Sequence, residues 1–525
     1  MRRVVSLRAR ACATGFILAL LLAGCAVGPN YSPAPAPVPT EFKELKGWKL
    51  AKPSDDLDRG DWWAPYHDPR LAGLLREVEI SNQTVAASAA AYEEARAIIR
   101  EAQAQLFPGA TTGYSVTRTR TGALAGTTGG SAVGTSLRTR YTTQYTVPVS
   151  GTWELDVWGK VRRLIESDTS AAQVSAADLD NAKLAAQGQL ATAYFNLRAT
   201  DSLHDLLSRT VALYKKTLDI VQNQFKAGYQ VTSGDVATAE AQLLNAEAQL
   251  TDTGVQRAQY EHAIAVLIGR PPAELTIAPR SLGENIPRIP VTIPSALLER
   301  RPDIAAAERA MQQQNALIGV AEAAYFPDVS LSSMIEYVGA IPLPLSAARS
   351  IASIGASETT TLFNGGLTAA QVDAAKAVYW QSVATYRQTV LTAFQQVEDQ
   401  LAAIHRYREA LAIQERSVQN QRTAVNVYLN QFQQGTVAFT TVVQSELTLL
   451  TDEESALTIR QNLFVASVSL IEALGGGWNT TLLPTQTKLM EGFSFLPQLD
   501  STPEPPAAAD APQQQQPASA PQGTK

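Results

Sequence analysis

The sequence predicts a mainly helical chain built from one structural unit used twice, with a pair of strands set between the helices of each unit. Three observations carry this. First, shifting the first half by 207 positions superimposes Phe225 on Phe432, Gly228 on Gly435, Leu243 on Leu450, Glu247 on Glu454, Leu250 on Leu457 and Leu267 on Leu474, and a repeat of that size marks a duplicated unit. Second, the stretches Val161 to Gln224 and Leu367 to Gln431 contain no proline and are rich in Ala, Gln, Leu, Glu and Arg, residues that favour helix. At 1.5 Å per residue each reaches roughly 95 to 100 Å, far beyond a globular helix. Third, between each Phe-Pro pair (Phe107-Pro108, Phe326-Pro327) and the long helix that follows, the apolar period changes from helical to twofold.

Taken in order, Arg2, Arg3, Arg8 and Arg10 precede an apolar run from Phe16 to Leu22 that is too short to span a bilayer and reads as an export signal, 1–24. It ends in Leu22-Ala23-Gly24-Cys25, which resembles a bacterial lipobox. That resemblance implies a diacylglyceryl group on the Cys25 sulfur, cleavage before it and an N-acyl chain on the new terminus. Ala26 follows instead of the Asp that the resemblance associates with inner-membrane retention, so the outer membrane is the expected address. The only other cysteine is Cys12 in the signal, so the mature chain forms no internal disulfide.

Residues 25–60, with Pro29, Pro33, Pro35, Pro37 and Pro39, read as an extended leash. The first repeat, 61–270, opens with a helix from about Leu71 to Leu106, where Leu71, Leu75, Val78, Val85, Ala89, Tyr92, Ile99 and Leu106 form a heptad-like seam interrupted by Asn82, Arg96 and Gln103. Its hairpin, about 110–150, has a strand with Tyr141, Thr143, Tyr145, Val147 and Val149 on one face, a partner at about Thr111 to Thr121 and a Gly-rich tip from Gly122 to Gly134. The long helix and a return helix, about Gly234 to Ile268, complete it. A Pro-rich linker, 271–296, precedes the second repeat, 297–478. There a strand with Val329, Leu331, Ser333, Ile335 and Tyr337 on one face and a partner at Ser350 to Thr361 form a hairpin over about 328–362, and the return helix spans about Thr440 to Leu474. The segment 479–525, with Pro503, Pro505, Pro506 and Gln513 to Gln516, reads as a disordered tail.

Removing the signal takes the formal charge from −6 to −10, without a basic patch, which excludes nucleic acid as a partner. Nowhere after the signal do eighteen apolar residues run together, so a membrane crossing needs strands. Four strands of about ten residues cannot close a barrel, whose minimum is about eight, so several chains would have to share one.

The chain resembles the TolC-like outer-membrane factors of tripartite, RND-type export systems, and within them the NodT-type lipoproteins. The resemblance is carried by Cys25-Ala26-Val27-Gly28-Pro29-Asn30-Tyr31, Asp61-Trp62-Trp63, Asp68-Pro69, Trp153-Glu154-Leu155-Asp156-Val157-Trp158-Gly159-Lys160, Glu299-Arg300-Arg301-Pro302-Asp303-Ile304, Leu362-Phe363-Asn364-Gly365-Gly366 and Gly435-Thr436-Val437-Ala438-Phe439-Thr440-Thr441-Val442-Val443. It implies a homotrimer with a twelve-stranded outer-membrane barrel, a twelve-helix periplasmic barrel and a small mixed equatorial region. It also implies a passive exit duct that receives substrates from an inner-membrane pump through a periplasmic adaptor. A lipid-anchored coiled-coil scaffold without a pore is the alternative reading.

No enzyme is expected. His67, His204, His262 and His405 lie apart with no metal-ligand spacing, and no nucleophile-elbow or phosphate-binding motif occurs. No cofactor is expected beyond the lipid on Cys25. Gly228 and Gly435 suit left-handed reversals at the ends of the long helices. The resemblance makes these turns the periplasmic tip, with Gly228, Val231, Ser233, Gly435, Thr436 and Val437 meeting the adaptor, and Asp235, Thr441 and Gln444 at the aperture. The turn after Gly228 is one residue longer than usual, and Asp235 also suits a simple helix-capping position.

Overall fold

A computed structural model of the chain describes residues 26–45, 61–124, 137–229, 231–283, 287, 299–340 and 350–491. Helix α1 (Pro69–Ser81) and helix α2 (Gln83–Ala104) lead to strands β1 (Gly109–Thr112), β2 (Ser115–Leu124) and β3 (Leu137–Leu155). Helix α3 (Lys160–Lys226) has 67 residues and α4 (Ser233–Leu267) has 35. The second unit repeats the order with α5 (Pro302–Ala323), β4 (Asp328–Gly339), β5 (Ser350–Thr359), α6 (Leu367–Gln433) and α7 (Phe439–Ala473), again 67 and 35 residues for the last two. A short α8 (Gln486–Met490) follows.

The expected single first helix is two. Asn82 leaves the helical region at ψ 123°, and its side-chain oxygen accepts from the Thr84 and Val85 amides, capping α2. Its Nδ2 donates to Leu267 O while Ser81 Oγ donates to Ile268 O, so the break satisfies carbonyls at the end of α4 that would otherwise lack partners.

The repeat offset also needs correction. It is 207 for the long helices but 206 for the return helices, because the turn before α4 holds one more residue than the turn before α7. Leu243 therefore matches Leu449, Glu247 matches Glu453, Leu250 matches Ala456 and Leu267 matches Ala473.

The strands form one antiparallel sheet in the order β1/β2, β3, β4, β5, in which Val147 pairs with Tyr337 and Val149 with Ile335. β1 and β2 lie on the same side of β3 in one register, and the ladder is interrupted at Gly113 and Tyr114. Gly113 donates to the carbonyl of Pro148, but Pro148 has no N–H to return, which splits the strand expected over Thr111 to Thr121. The Gly-rich tip from Gly122 to Gly134 begins as β2; its residues 125–134 lie outside the described residues.

Below the sheet α2, α3, α5 and α6 lie side by side, and farther down α4, α3, α7 and α6 do so. Four helices abreast thus continue four strands. Between the two levels lies the largest apolar cluster, with Leu71, Leu75, Leu190, Tyr194, Ile264, Val397 and Phe464 buried. There the Phe195 ring packs at a tilt 5.0 Å from Tyr66 and 4.8 Å from Phe464.

Two segments read as loose are bound to this body over their described parts. Phe42, in the 25–60 leash, is buried against Phe394 at 6.2 Å, and the Lys43 and Glu44 amides donate to Glu398. In the 479–525 tail, Leu489 is buried beside Ile99 and Ala172, and Gln173 donates to Pro484 O; residues 492–525 lie outside the described residues. Apolar side chains with a pocket to fill hold the described parts of both segments, 26–45 and 479–491, despite the polar and proline-rich composition.

Candidate functional site

The sheet has two chemically distinct faces. Period-two alternation and the register put Val116, Val147, Val149, Ile335 and Ile354 on one, and Ser115, Thr146, Ser150, Ser330 and Ser357 on the other. Val116, Val149, Ile335 and Ile354 are exposed. Tyr337, expected to stand on the same open face, is instead buried, its ring lying close over Gly339. Along β3 the apolar face runs from Trp153, whose Nε1 donates to Leu106 O, to Tyr141, which carries Arg118 5.0 Å over its ring. Twelve residue steps of about 3.4 Å each, tilted by about 40°, rise roughly 30 Å, close to the height of a membrane band bounded by aromatics. Among the described residues no helix is long and apolar enough to cross a membrane.

At the other end, both long helices stop in the same six-residue cap. Tyr229 N donates to Gln224 O and Gly228 N to Phe225 O; Thr436 N donates to Gln431 O and Gly435 N to Phe432 O. Gly228 at φ 74° and Gly435 at φ 72° occupy the left-handed region that a β-branched residue resists. The two reversals are bound to each other through Val221, Val231, Leu429, Phe432, Phe439 and Val442.

This placement sorts the expected tip residues. Gly228, Ser233, Gly435 and Thr436 are exposed and Val437 is half-buried, but Val231 is buried and supports the tip from within. Asp235 completes a capping box: its amide donates to Thr232 Oγ1 at 3.2 Å, and its carboxylate accepts from Thr232 N at 2.8 Å. Its counterpart in the second unit is Thr441, at the same position of α7, where Ala438 offers no side-chain cap. Gln444 is exposed one turn farther on.

Sequence reasoning missed a buried carboxylate between the two helical hairpins. Glu446 on α7 is 2% exposed, accepts from Thr217 Oγ1 of α3 at 2.8 Å and from Gln242 Nε2 of α4 at 3.4 Å. Burial pushes its carboxyl up to about 7, against the opposing effect of the two hydrogen bonds. A cavity of about 210 Å³ beside it is lined by Tyr214, Arg422 and Glu453 among others. The signal was present in the spacing, since Glu446 falls in the apolar stripe Val442, Leu449 of α7.

The segment just after Cys25 is built into the junction of sheet and helices. Val27 N donates to Trp158 O, and Asn315 Nδ2 to Pro29 O. Arg163, 5% exposed, donates to Val27 O, Gly28 O and Asn30 Oδ1 as well as to Glu166. Gly28 lies so close to α5 that a Cβ there would stand 2.3 Å from Gly319 Cα. Cys25 itself lies outside the described residues.

The histidines do not converge. His204 bonds Thr253 on α4, His405 faces Glu409, and His67 adopts φ 51° at a turn. Among the described residues no group of three or more His, Cys, Asp or Glu is placed to hold a metal.

The family model for outer membrane efflux proteins matches residues 74–270 and 293–476. The chain is 27% identical over 468 residues to the probable efflux pump outer membrane protein TtgC of Pseudomonas putida, covering 88% of this chain and 94% of the relative. It is 26% identical over 469 residues to the cation efflux system protein CusC of Escherichia coli, covering 88% and 98%. Among solved structures, the outer-membrane channel OprN aligns with a TM-score of 0.77 and 26% identity over 86% of this chain and 100% of that one. The Campylobacter jejuni outer membrane channel CmeC aligns at 0.78 over 88% and 97%, and at 21% identity it speaks for the fold alone.

Proposed function

The chain belongs to the outer membrane efflux protein family and works in the cell outer membrane as an efflux channel protein; from that premise we propose that three copies enclose one passive exit duct, with a twelve-stranded barrel in the membrane and a twelve-helix barrel in the periplasm. The observation that carries this is the match of four strands to four helices at every level, with no further strand among the described residues paired to either outer strand of the sheet. An exposed strand edge in lipid leaves backbone groups unpaired, and sharing the barrel among copies removes the edges. The apolar face then meets lipid, and the Ser- and Thr-rich face lines the lumen.

In this reading drugs or other small molecules enter from an inner-membrane pump through a periplasmic adaptor that meets the tip at Gly228, Ser233, Gly435, Thr436 and Val437. Deleting the chain from cells that retain its pump and adaptor is expected to raise retention of an expelled dye to the level of cells lacking the pump. Unchanged retention would contradict the reading.

Asp235, Thr441 and Gln444 face the aperture in the assembled duct. Three copies of Asp235 there favour cation entry, so Asp235→Asn is expected to lower cation selectivity in single-channel recordings, most visibly at low salt. Reversal potentials that stay the same across a salt gradient would leave Asp235 a helix cap only.

The lipid sits on Cys25. Cys25→Ser with the signal intact is expected to abolish labelling by radioactive palmitate, and persistent labelling would place the lipid elsewhere. Assembly can survive that change, because one acyl anchor adds only modest membrane affinity beside a barrel.

A further inference from the structure

Period-two spacing hides a basic patch that the β2–β3 hairpin assembles. From Gly109 to Trp153 the chain has four arginines, Arg118, Arg120, Arg138 and Arg140, and no Asp, Glu or Lys. No two of them are adjacent, so the sequence shows no basic run, yet the register gathers them at one end of the hairpin: Arg118 pairs with Thr143, Arg120 with Tyr141 and Arg140 with Thr121. The second hairpin stops short of them, since Gly339, its last residue paired to β3, stands opposite Tyr145. From Tyr337 to Ser350 it too has no Asp or Glu. The far end of the sheet therefore holds positive charge with no carboxylate of its own to balance it.

Two of these arginines stand on the apolar face. Arg118 and Arg120 alternate in step with Val116, and both are exposed. Tyr141 is set between them, opposite Arg120 in the register and with its ring 5.0 Å from the Arg118 guanidinium. Counted along the strand they stand roughly 26 to 30 Å above Trp153, at the upper edge of the apolar band. An arginine turned toward lipid is costly at mid-membrane and nearly free at the interface, so this pair fits only where its guanidinium groups reach lipid headgroups. Arg140 belongs to the opposite, polar face with Thr142 and Thr146.

We propose that Arg118 and Arg120, with Tyr141 between them, form a site for the headgroup phosphates of a lipid in the outer leaflet, its acyl chains lying along Val116 and Tyr145 below. Each guanidinium presents a planar fork that takes two phosphate oxygens at once, and two forks about 7 Å apart on one strand face reach one phosphate or two neighbouring ones. Tyr141 holds Arg118 over its ring, so less side-chain freedom is lost when the anion arrives. Charge complementarity and level together select the occupant: the paired cations call for an anion, and the apolar surface directly beneath them calls for acyl chains on the same molecule.

The inference rests on the reading in which the apolar face meets lipid, and the test separates the two. Full-length protein that sizes as several copies is freed of lipid in detergent and titrated with radiolabelled lipid A, with lipid A stripped of its phosphates and with inorganic phosphate as competitor. The unaltered protein is expected to retain lipid A, to retain the stripped form at least about tenfold more weakly, the loss of one charge-assisted contact or more, and to release neither to millimolar inorganic phosphate. Arg118→Gln with Arg120→Gln is expected to weaken retention of lipid A by at least about tenfold, and Arg140→Gln to leave it unchanged. Each single variant is read in the same way, so the site is tested even where the double variant does not assemble. Equal retention by the outer-face variants, equal retention of the stripped lipid, or full displacement by inorganic phosphate would overturn the lipid site and leave the duct standing. Loss through Arg140→Gln with none through the outer pair would set the polar face against lipid and overturn the reading on which the site rests.

Discussion

Arg163→Ala is expected to detach the residues that follow Cys25 and to destabilise the chain by about 3–5 kcal/mol, the usual cost of removing one member of a buried, hydrogen-bonded charge cluster. The residue is 5% exposed, and its side chain makes four hydrogen bonds, to Val27 O, Gly28 O, Asn30 Oδ1 and Glu166. Without it three oxygens lose their donors, and Glu166 loses its ion pair. Arg163→Lys keeps the charge beside Glu166 but cannot present the forked donors that hold three oxygens at once, so it is expected to restore little. Hydrogen exchange reads this directly: amides of residues 26–30 should lose protection in both variants. Unaltered protection in Arg163→Ala would show that the glycine-tight packing of Gly28 on Gly319 holds the segment alone.

Val147→Arg is expected to cost about 2–4 kcal/mol in the assembled protein if the position lies near the middle of the membrane, and Thr146→Arg much less. The two residues are neighbours on β3 but point to opposite faces. Val147 shares its face with Val149 and Ile335 and is half-buried, whereas Thr146 lies opposite Ser115 on the polar face. Assembly yield and resistance to denaturant in vesicles check the pair. Equal tolerance of the two substitutions would mean that both faces are wetted and that the sheet is not a membrane wall.

Features that rest on periodicity were legible in the sequence. The absence of proline over more than sixty residues announced α3 and α6, and alternation announced β3 and β4, because both patterns follow from backbone geometry alone. Register was harder. The second unit contains Leu449-Leu450 and Glu453-Glu454, so Leu243 and Glu247 find identical partners at either offset, and only the cap geometry at Thr232 and Ala438 selects 206. Asn82 was visible as a polar interruption, but its capping role depends on the end of α4, nearly 190 residues away. The binding of residues 26–30 could not be read at all, since an extended segment has no period and its partners Arg163, Asn315 and Gly319 come together only through tertiary packing. Asp235 keeps both of its readings: the capping box fixes where its carboxylate lies in one chain, and its place in an aperture depends on the assembly of several copies.

The account stands on the claim that several copies of this chain enclose one continuous duct, and conductance of the purified full-length protein in planar bilayers tests it most directly. Insertion is expected in uniform steps, one per assembled ring, with the step frequency following the fraction of protein that sizes as three copies and with none from protein that sizes as one. Membrane-bound protein of either size that gives no conductance steps would contradict the duct and leave a lipid-anchored scaffold of paired helices.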